Sequence, residues 1–309
     1  MDRREFLAGA TLAALSAALT PAALFAAART RLILLGTKGG PRVSEAGRSN
    51  PSTLLVINEV PYVVDCGYGT SRQLLAAGIP LKTLRHVFIT HHHSDHNLEH
   101  GALVYNAWAS GLGSRVDLWG PPGLRNMRAA FFEAMTIDIE TRIADEGRPD
   151  LARLVFANEF DGPGVILENA DVRVTAARVR HPPIEHAYAF RFDAKDRSIV
   201  ISGDTAYSPE LVALARGADV LVHEVMYLPA LDALLRRNAN AKRLREHLLA
   251  SHTLPEEVGR VAAEAGVGTL VLSHFVPGDD ASITDQQWAE GVRKRFRGRI
   301  IVGADLMEI

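Results

Sequence analysis

A histidine-rich segment constrains this chain more than any other feature. The chain has 12 histidines, and four of them lie within residues 90–96, which read Thr-His-His-His-Ser-Asp-His. The segment follows His86-Val87-Phe88-Ile89, a short apolar run typical of a buried strand. The sequence therefore predicts that several imidazoles and one carboxylate leave the protein core together at the end of a strand.

The spacing His91-x-His93-x-Asp95-His96 predicts metal binding, because histidine nitrogen and aspartate oxygen are common zinc ligands. Alternate residues of an extended segment point the same way, so His91 and His93 are expected to meet one metal ion. Asp95 and His96 lie where a helix begins, and we expect them to diverge toward a second ion. A solvated histidine-rich loop is the alternative, which the preceding strand and the candidate ligands elsewhere disfavour.

Short apolar runs alternate with helical patterns along residues 30–309, with no linker, repeat or composition break. We therefore predict one α/β domain over residues 29–309, with two mixed β-sheets and helices on their outer faces. The predicted strands are Arg31–Gly36, Thr53–Ile57, Tyr62–Asp65, His86–Thr90, Val116–Trp119, Val172–Val179, Ala187–Phe192, Ser198–Ser202, Val220–His223 and Leu270–Ser273. The predicted helices are Thr70–Ala77, Pro121–Met135, Ser208–Arg216, Pro229–Leu249 and Pro255–Ala265.

The first 28 residues have the pattern of an export signal. Arg3-Arg4 precedes an apolar stretch from Leu7 to Ala27, and the small residues Ala26–Ala28 follow. Alanine dominates the stretch, which disfavours a transmembrane anchor. We predict a twin-arginine-type signal peptide at residues 1–28 and a periplasmic or secreted mature protein without a stable membrane anchor.

Changing Arg3 and Arg4 together to lysine is expected to strand the protein in the cytoplasm with its N-terminus intact, because the twin-arginine route depends on both guanidinium groups. Fractionation followed by N-terminal sequencing measures this outcome. Unchanged export of the variant would reject the twin-arginine route, though not export itself.

The overall charge disfavours a nucleic-acid-binding protein, and the cysteine content excludes a disulfide-stabilised one. The chain has 34 Lys and Arg against 36 Asp and Glu, for a formal net charge of -2, whereas nucleic-acid-binding domains are usually strongly basic. Its one cysteine, Cys66, permits no intrachain disulfide, and we predict a buried, inert thiol there.

The histidine pattern resembles the His-x-His-x-Asp-His signature of the metallo-β-lactamase superfamily, and the resemblance covers nearly the whole mature chain. Val63–Gly67 resembles the strand-Asp-x-Gly turn that precedes the signature. Ile201–Thr205 resembles the Gly-Asp-Thr segment, and Leu272–Phe275 resembles the segment that supplies the last histidine. The resemblance implies an αβ/βα sandwich and two zinc ions per chain.

The resemblance also implies which residues bind each of the two zinc ions. It assigns His91, His93 and a third histidine to the first zinc, Asp95, His96 and His274 to the second, and Asp204 to both. The third histidine is either His181, which ends a strand, or His186, which lies in mid-loop; we expect His181. His86, His100 and His247 are interpreted as surface or helix-packing histidines.

Two further segments resemble the ribonuclease Z and arylsulfatase-like branch of the superfamily. The pair His223-Glu224 follows a strand, and Ser251-His252-Thr253 precedes a predicted helix. In that branch, the histidine matching His252 contacts an oxygen of the ester and the glutamate matching Glu224 orients it. Thr253 is also a good helix N-cap, and both interpretations can hold.

The resemblance implies hydrolysis by zinc-activated water, which Asp95 and Asp204 orient while His252 and Glu224 assist. We expect a sulfate or phosphate ester of a small molecule as substrate. A lactone or carboxylic ester hydrolase, a ribonuclease Z-like endonuclease and a non-catalytic metal-binding protein are the alternatives, and a homodimer is an open possibility. Nucleic acid is disfavoured because transfer RNA is cytoplasmic, and because no long insertion rich in Lys, Arg and Gly is visible.

Overall fold

The computed structural model describes residues 29–43 and 47–309, and the predicted signal peptide at 1–28 lies outside them. The described residues form two seven-stranded β-sheets and ten α-helices. No helix in this part of the chain is both long and apolar enough to cross a membrane.

The strands and helices have the following bounds. The strands are β1 (Arg31–Gly36), β2 (Ser52–Ile57), β3 (Val60–Val64), β4 (His86–Phe88), β5 (Val116–Gly120), β6 (Val155–Glu159), β7 (Gly164–Glu168), β8 (Val172–Arg178), β9 (Tyr188–Ala194), β10 (Ser198–Ile201), β11 (Val220–Met226), β12 (Thr269–Val276), β13 (Arg299–Val302) and β14 (Met307–Glu308). The helices are α1 (Thr70–Ala76), α2 (Ser94–Asn97), α3 (His100–Ala109), α4 (Leu124–Ala134), α5 (Thr136–Glu146), α6 (Pro209–Ala215), α7 (Leu231–Arg237), α8 (Leu244–Ser251), α9 (Pro255–Ala265) and α10 (Asp285–Arg293).

Both sheets are mixed. The first has the order β14-β1-β2-β3-β4-β5-β6, in which β14 to β3 pair antiparallel and β3 to β6 pair parallel. The second has the order β13-β12-β11-β10-β9-β8-β7, in which β13 to β10 pair parallel and β10 to β7 pair antiparallel. Each sheet thus has a parallel part whose strands all end at one edge.

The core lies in three layers, because the central strands are buried on both faces and successive side chains point to opposite faces. In β1, Leu32 and Leu34 pack between the two sheets, whereas Ile33 and Leu35 pack outward beneath the helices of the first sheet. Aromatic rings fill the middle layer, where Phe88 of β4 meets Phe192 of β9 edge to face at 5.3 Å. The predicted sandwich of two mixed sheets with helices on the outer faces is confirmed.

The parallel strands position the polar residues predicted for the site. Asp65 and His91 follow the carboxyl ends of β3 and β4, and Asp204 follows that of β10. Glu224 and His274 lie near the ends of β11 and β12. Since loops after parallel strands converge at one edge of a sheet, both sheets deliver polar side chains to one place.

The prediction of one continuous helix over Pro229–Leu249 is wrong. The structure has a 3₁₀ turn at Leu228–Ala230, then α7 and α8, which are separated by residues 238–243. Asn238 leaves helical geometry at φ −125° and its side-chain amide donates to the Leu234 carbonyl oxygen at 2.8 Å. The two helices fold back into a hairpin because leucines on both pack around buried Met226 and Val276.

Several elements have no counterpart in the predictions. They are α3, α5, α10, β6, β7, β13 and β14.

Candidate active site

Three histidines form a first cluster around Asp204. His93 Nδ1 lies 3.0 Å from His91 Nε2 and 3.0 Å from His181 Nε2. The Oδ2 atom of Asp204 lies 4.0 Å from His91 Nε2 and 4.0 Å from His181 Nε2. The ligand atoms of these four residues lie within 4.8 Å of one another.

A second cluster uses the other oxygen of the same aspartate. Asp204 Oδ1 lies 3.3 Å from His96 Nε2 and 3.1 Å from His274 Nε2. Asp95 Oδ2 lies 3.6 Å and 3.5 Å from the same two nitrogens. The two oxygens of Asp204 thus face two adjacent groups of possible metal ligands.

A buried network fixes the histidine-rich segment. Asp65 Oδ1 accepts the Thr90 backbone N–H at 2.8 Å, and Asp65 Oδ2 lies 2.8 Å from His96 Nδ1. The Thr90 hydroxyl lies 3.1 Å from His91 Nδ1. These contacts hold one nitrogen of each ring and leave His91 Nε2 and His96 Nε2 facing the clusters. The ring of His92 points away, toward the Pro121 and Pro122 carbonyl oxygens.

The backbone is unusual at the residues that build the site. Asp65 and His274 have φ values of 63° and 43°, a region that non-glycine residues seldom adopt. Gly203, at φ 59°, lies so close to Tyr188 that an added Cβ would meet its carbonyl oxygen at 2.7 Å. The tight turn before Asp204 therefore requires glycine, and two residues of the site hold an unfavourable backbone conformation.

Burial and charge divide the histidines into two kinds. Burial lowers the pKa of His181 to about 3, and burial together with the neighbouring His96 ring lowers the pKa of His91 well below its usual value. Burial opposes protonation of His96 too, but the carboxylates of Asp204, Asp65 and Asp95 outweigh it and raise its pKa well above the usual range. The first cluster therefore consists of neutral imidazoles with available lone pairs, whereas the second is strongly ionic.

The donor set fits metal ions. His93 Nδ1 faces two ring nitrogens at once, and one nitrogen cannot donate a single hydrogen to both. In the second cluster, His96 Nε2, His274 Nε2 and Asp204 Oδ1 are buried without a hydrogen-bond partner among the described residues. A tetrahedral zinc at about 2.0–2.1 Å from its ligands separates ligand atoms by roughly 3.3 Å, close to the spacings seen here. Seven residues can thus hold two divalent metal ions.

His252 and Glu224 form a buried pair beside the second cluster. Glu224 Oε1 accepts the Thr253 backbone N–H at 2.9 Å, and Glu224 Oε2 lies 3.3 Å from His252 Nδ1. The His252 ring stacks on His274 with centroids 5.7 Å apart. Burial lowers the affinity of His252 for a proton, but the carboxylates of Glu224, Asp204 and Asp95 outweigh it and raise its pKa to about 9.

A cavity of about 340 Å³ opens onto this centre. Its polar wall includes His93, Asp95, Asp204, His252 and His274. Leucines of the α7–α8 hairpin also line the cavity. The Glu224 carboxylate does not line this cavity and lies behind His252, so it acts on the histidine rather than on a bound molecule.

The structure brings every predicted site residue to this centre and separates the two candidates for the third histidine. His181 is buried in the first cluster, and its Nδ1 lies 3.0 Å from the Ser251 carbonyl oxygen. His186 is outside both clusters, with its Nδ1 3.4 Å from the Tyr188 hydroxyl.

Replacement of His181 by alanine is therefore expected to deplete the first metal ion and abolish turnover, whereas His186→Ala keeps both. Metal analysis of the purified variants alongside an activity assay measures this difference. Metal loss in His186→Ala, with His181→Ala unaffected, would transfer the assignment to His186.

Sequence reasoning missed some residues of the centre. His247 of α8 was interpreted as a surface or helix-packing residue, yet it is half-buried, lines the cavity and meets His93 edge to face at 5.6 Å. Asp65 was recognised only as part of a turn, although it orients His96. His86 and His100 are packing histidines as expected: His86 stacks on Tyr62, and His100 Nδ1 lies 2.7 Å from the Asn97 carbonyl oxygen.

Comparison with known proteins gives the family. Residues 62–275 match the family described as the Beta-lactamase superfamily domain. Ribonuclease Z of Mycobacterium marinum is 32% identical over 281 residues, which cover 90% of this chain and 97% of the relative. Ribonuclease Z of Mycobacterium sp. strain KMS is 35% identical over 280 residues, which cover 89% and 94%. The chain therefore belongs to the metallo-β-lactamase superfamily, and within it to the ribonuclease Z branch.

Solved structures share the fold. The metallo-β-lactamase fold protein YhfI from Bacillus subtilis has a TM-score of 0.67 at 19% identity, covering 91% of this chain and 98% of that one. The short form of human tRNase Z has a TM-score of 0.64 at 20% identity, covering 90% and 98%.

These relatives overturn one expectation. We expected a small-molecule ester as substrate and judged nucleic acid an improbable partner. The full-length relatives named ribonuclease Z contradict that expectation. The expectation rested on the net charge of the whole chain, on the absence of a long insertion rich in Lys, Arg and Gly, and on the predicted export, since transfer RNA is cytoplasmic.

Proposed function

We propose that this chain is a zinc-dependent phosphodiesterase that cleaves RNA, as its relatives' name ribonuclease Z implies for them. The observation that carries the proposal is that His252, which contacts Glu224, lines one cavity together with residues of two metal-ligand clusters that share Asp204. Two metal ions held by these clusters would lie, together with a buried histidine, around a single reacting group.

The seven ligands proposed for two zinc ions are His91, His93, Asp95, His96, His181, Asp204 and His274. Zinc bound there would supply a Lewis acid for a phosphoryl oxygen and lower the pKa of water toward about 7. Asp204 and Asp95 hold negative charge at the centre, since nearby histidines keep the pKa of both carboxyls below the usual range despite burial.

His252 has the position of a proton donor or oxyanion contact. Its Nδ1 faces Glu224, so its Nε2 is the ring nitrogen available to the cavity. Glu224 is itself fixed by the Thr253 backbone N–H and, at 3.3 Å, by that of Thr205. Glu224 is therefore a positioning residue that sets the ring's orientation, and His252 is the proposed catalytic contact to the scissile phosphate or the leaving oxygen.

The substrate is proposed as a class, RNA phosphodiesters, rather than as one RNA. Export of the mature chain remains a separate proposal that rests on residues 1–28. An exported enzyme would meet RNA other than newly made transfer RNA precursors, so cellular location and the cleavage chemistry are tested independently.

The test uses zinc-loaded protein with a transfer RNA precursor bearing a 3′ trailer, and with bis(4-nitrophenyl) phosphate as a small phosphodiester. We expect cleavage of both, loss of both after chelation, and recovery when zinc is restored. A fully zinc-loaded protein that cleaves neither phosphodiester would refute the proposal, and turnover of nitrocefin alone would point to β-lactam hydrolysis instead.

A further inference from the structure

The connection between α7 and α8 is strongly basic. Residues 236–245, here named the basic tip, read Arg-Arg-Asn-Ala-Asn-Ala-Lys-Arg-Leu-Arg and contain no Asp or Glu. All five of their cationic side chains are exposed. The chain as a whole has a formal net charge of -2, so this is a local concentration of positive charge.

Among the described residues, two of these cations are paired within the protein and three are not. Arg237 pairs with Asp279 at 3.2 Å, and Arg245 pairs with Asp232. Among the ion pairs of residues 29–43 and 47–309, none includes Arg236, Lys242 or Arg243. Those three charges are therefore available to an anionic partner.

The basic tip lies next to the candidate active site. Arg237, Asn238 and Ala241 line the same cavity as His252 and Asp204. The hairpin is anchored there by buried Leu231 and Leu248, which pack on Met226 and Val276 at the ends of β11 and β12. The strands that carry Glu224 and His274 thus also support the tip.

The size of the cavity indicates where a polymer must bind. Its volume of about 340 Å³ is at the lower end of the range for small-ligand pockets. A chain of nucleotides whose scissile phosphate enters this cavity must continue over its rim. Phosphates spaced along that chain would meet the cations of the rim.

We propose that the basic tip binds the phosphate backbone of the RNA substrate beside the scissile bond. This inference rests on the proposed function and adds the surface that holds the polymer. RNA is favoured over an anionic membrane because the tip borders a site suited to phosphodiester cleavage.

The test variant changes Arg236, Lys242 and Arg243 together to glutamine. The control changes Lys195, Arg297 and Arg299 to glutamine. These residues are also exposed, but they lie at the start of β10 and β13, at the opposite edge of the second sheet. Both variants lose three positive charges, so the chain's total charge changes equally. Each is compared with wild type as zinc-loaded protein.

We expect the tip variant to bind the transfer RNA precursor about 10- to 100-fold more weakly at low salt. The slope of log affinity against log salt should become shallower by about 2 to 3, because each lost phosphate contact removes roughly 0.7 to 0.9. The ratio of RNA cleavage to bis(4-nitrophenyl) phosphate cleavage should fall by a similar factor. The control variant should match wild type.

Equal RNA affinity and equal salt slope for the tip variant and the control would overturn the inference while leaving the proposed function standing. Failure of wild type to cleave RNA would instead refute the proposed function. The membrane alternative is tested with vesicles of anionic phospholipid. If the tip variant no longer binds these vesicles but binds RNA as wild type does, the tip contacts a membrane and the RNA assignment is overturned.

Discussion

Asp204→Ala is expected to release both zinc ions and to lower RNA cleavage on the order of 10⁴-fold or more, a loss typical of removing a component on which a whole catalytic unit depends. The reason is geometric: Oδ2 faces the first cluster and Oδ1 faces the second, so one substitution removes a proposed ligand from each. It also removes the negative charge that offsets two divalent cations in a buried site. Zinc per chain and the cleavage rate are measured on the same preparation.

Asp204→Asn separates charge from shape, because its amide keeps one acceptor oxygen and presents an NH₂ group to the other cluster. We expect it to retain more zinc than the alanine variant while cleaving RNA poorly. Asp145→Ala, at an exposed position of α5, is the control and should keep wild-type zinc and rate. An Asp204→Ala protein with two zinc ions and near-wild-type turnover would refute the bridging role.

His252→Ala is expected to keep both zinc ions and the fold but to cleave RNA about 100- to 1000-fold more slowly, the usual cost of removing one donor that acts on the transition state. His252 lies beside His274 without completing either of the two proposed ligand sets, and its partner is a carboxylate. The loss should therefore fall mainly on kcat rather than on RNA affinity. Zinc analysis, single-turnover rates and binding isotherms measure the three quantities.

The choice of leaving group distinguishes two roles for His252. If it protonates the leaving oxygen, the variant should lose less activity on bis(4-nitrophenyl) phosphate, since nitrophenolate departs without a proton. If it stabilises the phosphoryl oxygens, the cleavage rates of both substrates should fall by the same factor. Glu224→Gln, which keeps the size of the side chain but weakens its hold on the ring, should show an intermediate loss with zinc unchanged. Wild-type rates for His252→Ala on every substrate would remove this residue from the mechanism.

The fold and the cluster residues could be predicted because both leave local patterns. Continuous apolar runs predict strands buried on two faces, and the polar residues that follow those runs stand out against them. The pattern 90–96 contains four candidate ligands within one segment, so their proximity needs no knowledge of tertiary structure. His181 and Asp204 are distant in sequence, and the family resemblance was needed to bring them to the same site.

The features that sequence reasoning missed depend on tertiary contacts. Residues 229–249 have the composition of one helix, and only the packing of leucines on Met226 and Val276 shows why it folds back at Asn238. That fold carries His247 toward His93 and brings residues of the basic tip to the wall of the cavity. A count of charges over the whole chain could not reveal this, because the acidic residues that balance the total lie elsewhere.

The division of the proposed ligands between the two sheets has a consequence for assembly. His91, His93, Asp95 and His96 follow β4 of the first sheet, whereas His181, Asp204 and His274 belong to the second. During synthesis, the earlier four emerge well before the later three, so the ligands of the first ion are complete only after residue 204 and those of the second only after residue 274. Bound zinc would then tie one sheet to the other, and because metal that binds only the folded state stabilises it, chelation should lower the thermal unfolding temperature of the whole domain.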